Sequence, residues 1–198
     1  MSDKIVKNLN FGDNARVNVF KGIEKLTKAV SSTLGASGKC VILEDGSGNP
    51  MITKDGVTVA DLITLLDPVE NMGATLIKEA ARKTVQEAGD GTTTATVLAH
   101  AILKEAYNLD SKQVNTRDLK GGINKAVDKV VKHLEKNSIK VTGDMIDSVA
   151  TISTNNDPEL GKIIGNAFRA VGETGVVMME PTASATTEVE IVEGVQYE

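Results

Sequence analysis

Apolar residues recur along much of the chain at steps of three and four, the spacing that lines one face of an α-helix. Val17, Phe20, Ile23, Leu26, Val30 and Leu34 mark the first such stripe, and Gly35 supplies a left-handed stop after it. Asp67-Pro68-Val69-Glu70 reads as an N-cap, a proline at the first helical position and an acid in the first turn. Met72, Leu76, Ala80, Thr84 and Ala88 follow at steps of four and lead to Gly89. A third helix is predicted from Thr92 to Tyr107, with Val97, Leu98, Ala101 and Ile102 in its apolar stripe. A fourth opens at Thr116, carries Asp118 in its first turn, and continues through Leu119, Ile123, Val127, Val130 and Leu134.

Between the first two helices the period changes. Cys40-Val41-Ile42-Leu43 and Met51-Ile52-Thr53 are β-type runs around the turn-rich Glu44 to Pro50, which predicts a hairpin. A short helix is expected over Val57 to Leu65. The character of the chain shifts near Asn137, and a domain boundary is placed at residues 137–140. Beyond it, a short helix around Asp144 to Ile152 precedes one opened by Asp157-Pro158-Glu159, striped by Leu160, Ile163, Ile164, Ala167 and Val171, and ended by Gly172. Val176 to Met179 and the alternating Thr187, Val189 and Ile191 read as paired strands. The pattern as a whole is mainly α with a β-hairpin, followed by a small α/β segment.

Composition narrows the function classes. With 40% apolar and 25% charged residues in 198, the chain has enough apolar material for a packed core. It has no Trp, two Tyr and three Phe, so Ala, Val, Ile and Leu must do the packing. A net charge of −5, with lysines interleaved among acids, argues against nucleic acid as a partner. Cys40 is the sole cysteine, which excludes an internal disulfide and fits a reducing, cytoplasmic setting. Met1 to Phe11 lacks the apolar run of a secretory signal, and no stretch approaches the ~20 apolar residues that span a bilayer.

Three loops are candidates for chemistry. Gly89-Asp90-Gly91-Thr92-Thr93-Thr94 opens the third helix. The first N–H groups of a helix lack internal partners and favour an anion, and the two glycines let a ligand approach closely. A carboxylate beside such a site suits a hard cation such as Mg²⁺, which binds carboxylates and phosphates together. The same residues also fit a plain helix start, with Asp90 in the turn and Thr92 as N-cap. Thr33-Leu34-Gly35-Ala36-Ser37-Gly38-Lys39 can lay backbone amides against a phosphate or serve as a helix end and turn; its order is not that of a P-loop. Thr53-Lys54-Asp55-Gly56 can put a cation and an acid near a transferred phosphoryl group, or form a simple Asp-Gly turn. His100 and His133 read as structural or surface residues, Met178 and Met179 as strand packing, and no nucleophile elbow is present.

The order and identity of these strings carry a resemblance. Thr33-Leu34-Gly35 with Gly38-Lys39, Ile52-Thr53-Lys54-Asp55-Gly56-Val57-Thr58-Val59-Ala60, Glu70-Asn71-Met72-Gly73-Ala74, and Ala88 through Ala99 closely resemble the equatorial ATP-binding half of group I, GroEL-type chaperonins. Asp118-Leu119-Lys120, Gly122-Ile123, Thr151-Ile152-Ser153 and Val192-Glu193-Gly194 extend the match over nearly the whole chain. The resemblance implies a multi-helical equatorial nucleotide-binding domain over residues 1–137 and the ascending segment of an intermediate domain over 138–198. It implies ATP, Mg²⁺ and K⁺ as cofactors. Thr33, Leu34, Gly35, Ala36 and Lys54 would line the nucleotide, Asp90 would bind Mg²⁺, and Gly91, Thr92, Thr93 and Thr94 would hold the phosphates. Asp55 would lie near the γ-phosphate and the attacking water, and backbone oxygens of Thr33 and Lys54 would bind K⁺. The Cys40–Thr53 hairpin would reach a neighbouring subunit of a homo-oligomeric, heptameric ring.

The same resemblance marks what is absent. The family's loop reads Leu-Gly-Pro-Lys-Gly-Arg where this chain has Ala36 and Ser37 in place of the proline and lysine. The apical domain for unfolded polypeptides and a co-chaperonin, a further catalytic carboxylate, and the base-binding half of the equatorial domain have no counterpart in these residues. The chain is therefore expected to be the amino-terminal part of an ATP-dependent folding chaperonin and inactive, or nearly so, as an ATPase by itself. The alternative is a non-enzymatic nucleotide-binding or interfering fragment that needs separate halves or a host ring.

Overall fold

The computed structural model describes residues 8–35, 37–109, 114–184 and 186–194. They contain helices α1 (Gly12–Ser31), α2 (Gly56–Leu62), α3 (Pro68–Ala88), α4 (Thr92–Asn108), α5 (Thr116–Asn137), α6 (Met145–Ser153) and α7 (Pro158–Val171), and strands β1 (Val41–Glu44) and β2 (Pro50–Thr53). Mainly helical with one hairpin, this is the expected fold class. The chain divides into two compact units, residues 1–126 and 127–198, so the division falls within α5.

In the first unit α1 and α3 cross with their backbones in contact. A methyl group added at Gly22 would lie 2.8 Å from Glu70 Cα and overlap its carbonyl oxygen; one added at Gly73 would lie 2.8 Å from the Val19 carbonyl carbon. Only residues without a Cβ fit at both points of the crossing. This explains why the Met72/Leu76 stripe expected of α3 is not its inner face. Met72 and Leu76 are 65% and 63% exposed, while Gly73, Ala74, Ile77, Lys78 and Ala81 are buried. A face of small residues lets the helices approach, and a face of Met and Leu would hold them apart.

The core joins Ile23, Leu26 and Val30 of α1, Val59 and Ala60 of α2, and Ala74 and Ile77 of α3. Val41 and Leu43 of β1 pack against it. Leu26 and Val30 are fully buried, each contributing roughly 1.5–3 kcal/mol by removal from water. The hairpin pairs antiparallel with Ile42 opposite Ile52, and both side chains face outward, 70% and 66% exposed.

Local chemistry sets the helix ends. Asp67 accepts hydrogen bonds from the N–H groups of Val69 (2.8 Å) and Glu70 (2.9 Å), Pro68 occupies the first turn, and left-handed Gly89 closes α3. The α2–α3 connection is pinned by the Leu65 N–H, which donates to Asn71 Oδ1 at 3.0 Å. Lys78, nearly buried, donates through Nζ to the carbonyls of Asp61 (3.3 Å) and Ile63 (2.5 Å), satisfying oxygens at the end of α2. Burial lowers its pKa, with Asp61 acting in the opposite direction. The first helix stops at Ser31, short of Leu34, because the Ser32 and Thr33 hydroxyls donate to the Ala29 and Val30 carbonyls and turn the chain.

The expected apolar stripe of α4 is also displaced. Leu98 and Ile102 are 57% and 42% exposed, whereas Thr92 and Thr96 are buried. Thr96 Oγ1 donates to the Thr92 carbonyl at 2.9 Å, which removes the cost of burying its hydroxyl. His100 and Tyr107 stack on Phe20 of α1, with centroids 5.8 and 4.8 Å away. No residue of α5 is buried, so its Val127, Val130 and Leu134 stripe lies open.

In the second unit α6 packs on α7 at two glycines. A methyl group at Gly161 would lie 2.7 Å from the Thr151 nitrogen, and one at Gly165 would overlap the Asp147 carboxylate. That carboxylate pairs with Arg169 Nη1 at 2.7 Å. Asp157 caps α7 through the Glu159 and Leu160 N–H groups, and Gly172 ends it as expected. Val176 to Met179 and Thr187 to Ile191 form no ladder among the described residues, contrary to the expected strands. They flank a trough along α7 lined by Leu160, Ile163, Ile164 and Ala167, and Val176, Met178 and Met179 stay more than three-quarters exposed. Two strands with so little burial cannot repay the ordering of their backbones.

No helix among the described residues is long and apolar enough to cross a membrane. If the α1–α3 crossing is fixed by missing Cβ atoms, Gly73→Ala should destabilise the chain by about 1–3 kcal/mol through overpacking. Helix propensity alone predicts a gain of up to about 1 kcal/mol. Urea denaturation followed by circular dichroism decides between the two signs.

Candidate functional site

The loop that opens α4 has the backbone expected of an anion cradle. Gly89 (φ 74°) and Gly91 (φ 92°) are both left-handed, and Gly91 occupies the cap position. Thr92 is therefore inside the helix and is not its N-cap. No side chain caps α4, in contrast to α2, α3 and α7, each of which has an aspartate there. The amides of Thr92, Thr93 and Thr94 thus open the helix with its positive end unscreened by any capping oxygen. Asp90 is exposed and accepts the Gly91 N–H through Oδ1 at 2.5 Å; Oδ2 has no partner among the described residues. No cluster of three or more His, Cys, Asp or Glu exists among the described residues. A single carboxylate beside a phosphate cradle nevertheless fits Mg²⁺, which takes few protein ligands and shares its remaining positions with water and phosphate oxygens.

The loop after α1 is tied into a compact turn. Gly38 N–H donates to the Gly35 carbonyl at 2.9 Å and Lys39 N–H to the Ser32 carbonyl at 2.8 Å. Gly35 is left-handed (φ 76°), and a methyl group on Gly38 would collide with the Thr33 carbonyl. The two glycines of this loop are thus structural requirements of the turn. Leu34 is half-exposed and donates its N–H to the Ser31 carbonyl. Ala36 lies outside the described residues.

The hairpin delivers the third loop. Lys54 and Asp55 follow β2 directly and are both exposed. Asp55 caps α2: Oδ1 accepts from Val57 N–H at 3.3 Å, and Oδ2 accepts from the Thr58 N–H at 2.9 Å and the Thr58 hydroxyl at 2.6 Å. Thr53 Oγ1 in turn accepts the Asp55 N–H at 3.0 Å. Partial burial raises the Asp55 pKa, but the Thr58 hydroxyl and the two backbone N–H bonds together outweigh it, and the net shift is downward. A carboxylate has about four acceptor positions, so the three bonds leave room for one further donor at Oδ1.

The three loops meet at Gly56. A methyl group there would overlap Thr93 Oγ1 and lie 3.4 Å from both Thr93 Cβ and Thr33 Oγ1. One residue from each loop therefore shares a single point, although 23 and 37 positions separate Thr33 and Thr93 from Gly56 along the chain (56 − 33 and 93 − 56). Of the residues named from the sequence, Thr33 and Thr93 are brought together, with Asp55 adjoining Gly56 and Asp90 in the same loop as Thr93. Gly56 itself and Thr58, the hydroxyl that holds Asp55, stood in the quoted strings without a role of their own. The Asp-x-x-Thr spacing of a helix start was the available signal for Thr58.

A carboxylate whose folded pKa is below its ordinary value of 3.8 contributes stability that is present above that value and lost as pH falls through the lower one. Asp55→Ala should cost about 1 kcal/mol at pH 7, the usual size of an N-cap. That difference from the unsubstituted chain should shrink as the pH is lowered toward 3. Denaturant midpoints of both chains across this range test it; a pH-independent gap contradicts the carboxylate cap.

The sequence and the fold find counterparts among known proteins. The model of the TCP-1/cpn60 chaperonin family matches residues 26–198, which include all three loops. The chaperonin gp146 from bacteriophage EL 2 (Pseudomonas aeruginosa), crystallised in the presence of ATP-BeFx, is similar to this chain with a TM-score of 0.67 in each of two crystal forms. Identity is 31% in one form and 32% in the other, and the match covers 78% of this chain and 28% of that one. A group III chaperonin in the open state matches with a TM-score of 0.64 and 32% identity, over 78% of this chain and 31% of that chain. The chain thus spans less than a third of the length of these solved chaperonins. A family match that runs through every loop converging on Gly56 leaves one assignment: this protein belongs to the TCP-1/cpn60 chaperonin family.

Proposed function

We propose that the chain supplies the phosphate- and metal-binding part of an ATP-dependent chaperonin subunit. The observation that carries this reading is the meeting of Thr33, Gly56 and Thr93 beside the uncapped start of α4. Each loop alone is compatible with an ordinary turn. Together they bring the Thr33 and Thr93 side chains to Gly56, with Asp55 adjoining it and Asp90 in the same loop as Thr93, a composition suited to a metal-bound polyphosphate.

In this reading the amides of Gly91 to Thr94 receive the phosphate oxygens, with Thr33, Leu34, Gly35, Ala36 and Lys54 along the nucleotide. Asp90 would hold Mg²⁺ through Oδ2, and the metal would supply positive charge to offset that of the phosphates. The Thr33 and Lys54 carbonyls serve K⁺. Asp55, held ionised by Thr58, uses its remaining acceptor position to orient a water. A carboxylate with a depressed pKa is a weak proton acceptor, so Asp55 positions the nucleophile without being an efficient base by itself. This agrees with the expectation that a second carboxylate, from residues beyond these, is needed for turnover.

The complete subunit is proposed to work in a homo-oligomeric ring, heptameric by resemblance, in the cytoplasm, with unfolded polypeptides and a co-chaperonin as partners. The Thr53–Val57 and Glu70–Ala74 strings favour the group I branch. The outward-facing Ile42 and Ile52 fit a hairpin that docks on a neighbouring subunit. Residues 1–137 are proposed as equatorial and 138–198 as ascending intermediate segment. The open apolar stripe of α5 favours a second reading for the chain as given: a nucleotide-binding fragment that requires complementary halves or a host ring.

Calorimetric titration with Mg·ATP should show saturable heat and no measurable phosphate release. Asp90→Ala should abolish the Mg²⁺ dependence of binding. Absence of heat at millimolar nucleotide refutes the site, and hydrolysis lost on Asp55→Ala refutes the inactivity of the chain by itself.

A further inference from the structure

We infer that Gly56 is a positioning residue of this site: its missing side chain lets the Thr93 hydroxyl settle against the start of α2 and so fixes the threonine run of α4 relative to the Thr33 loop. The inference rests on the nucleotide reading above and adds a residue that makes no contact with ligand in that reading. Gly56 is buried, is the first residue of α2, and is not among the glycines with positive φ. Its backbone therefore admits alanine without strain, and helix propensity favours alanine there. What excludes alanine is the overlap of its methyl with Thr93 Oγ1.

The identity of that neighbour sets the consequence. Thr93 lies in the first turn of α4, where its amide and hydroxyl belong to the anion cradle, and its Oγ1 is the atom nearest the space above Gly56. Thr33 Oγ1, at 3.4 Å from the same point, is anchored by donation to the Val30 carbonyl at 2.8 Å and does not give way readily. A methyl group on residue 56 thus displaces the Thr93 hydroxyl, and relief by χ1 rotation or by a shift of the first turn of α4 would in either case move that hydroxyl from its place in the cradle. With Thr93 shortened to alanine, the new methyl would meet a carbon at 3.4 Å, an ordinary contact.

A double-mutant cycle on the full chain, read by calorimetric titration with Mg·ATP, tests this. Gly56→Ala is expected to weaken binding about tenfold, the scale of coupling between touching residues. In the Thr93→Ala background the same substitution should change Kd by less than about twofold, because the overlap is gone. Thermal unfolding of all four chains accompanies the titration: a folded Gly56→Ala with weakened binding supports positioning, and a Gly56→Ala that unfolds while Gly56→Ala/Thr93→Ala folds supports the same contact. An unsubstituted chain that binds no Mg·ATP overturns the nucleotide reading and this inference with it. Binding by the unsubstituted chain, with Kd unmoved by Gly56→Ala or equally weakened in both backgrounds, overturns this inference alone.

Discussion

The first unit depends on one close contact, the crossing of α1 and α3 at Gly22 and Gly73. Backbone meets backbone there, so neither helix can rotate or slide without collision. Once α3 is fixed, Asn71 fixes the Leu65 amide and Lys78 holds the carbonyls of Asp61 and Ile63. Those three bonds place the end of α2, and the Asp55 cap places its beginning. The start of α2 is where Gly56 receives Thr93. The site therefore inherits its geometry from a helix crossing that touches no ligand in the proposed reading. The Glu70-Asn71-Met72-Gly73-Ala74 string acquires a physical meaning on this path: Glu70 pairs with Lys25, Asn71 anchors a loop, Gly73 forms the crossing and Ala74 is fully buried.

Several helix ends were legible because capping is local chemistry. Asp67 with Pro68, Asp157 with Pro158, Gly89 and Gly172 stand where their residue types require. Helix faces were less legible, since hydrophobicity ranks Met72 and Leu76 above Gly73 and Ala74 as core residues. Close packing reversed that order: at a backbone contact the smallest residue is the inner one. The same holds for α4, where Thr92 and Thr96 are buried and Leu98 is not. A threonine that returns its hydroxyl to its own helix carries no burial penalty, and no stripe analysis registers that bond.

Local chemistry identified each of the three loops but did not join them; only the family resemblance did. Residues 33, 56 and 93 lie in different loops of the chain, and the single point they share is a property of tertiary packing. Thr58 belongs to the same class of omission, because its importance arises from the Asp55 carboxylate it holds. The strands expected over 176–179 and 187–191 show the converse. Alternation of apolar residues states a capacity for pairing, and a ladder forms only when burial offsets the cost of ordering the backbone. With Val176, Met178 and Met179 largely exposed, that offset is missing from the second unit taken by itself.

Electrostatics sets a last constraint on the proposed site. Asp55 and Asp90 both belong to loops that meet at Gly56, and the chain as a whole carries a net charge of −5. Free amides at a helix start and the Thr93 hydroxyl can attract a phosphate, whereas the Asp55 and Asp90 carboxylates repel one, and Lys39 and Lys54 are the basic residues of the three loops. Asp55 cannot relieve this repulsion by taking up a proton, because the Thr58 hydroxyl and two amides stabilise its charged form. Asp90, exposed and with Oδ2 unpartnered among the described residues, is the carboxylate left to act through a cation. A polyanion near these acids is favoured by accompanying positive charge, which a divalent metal held at Asp90 would supply in the proposed site.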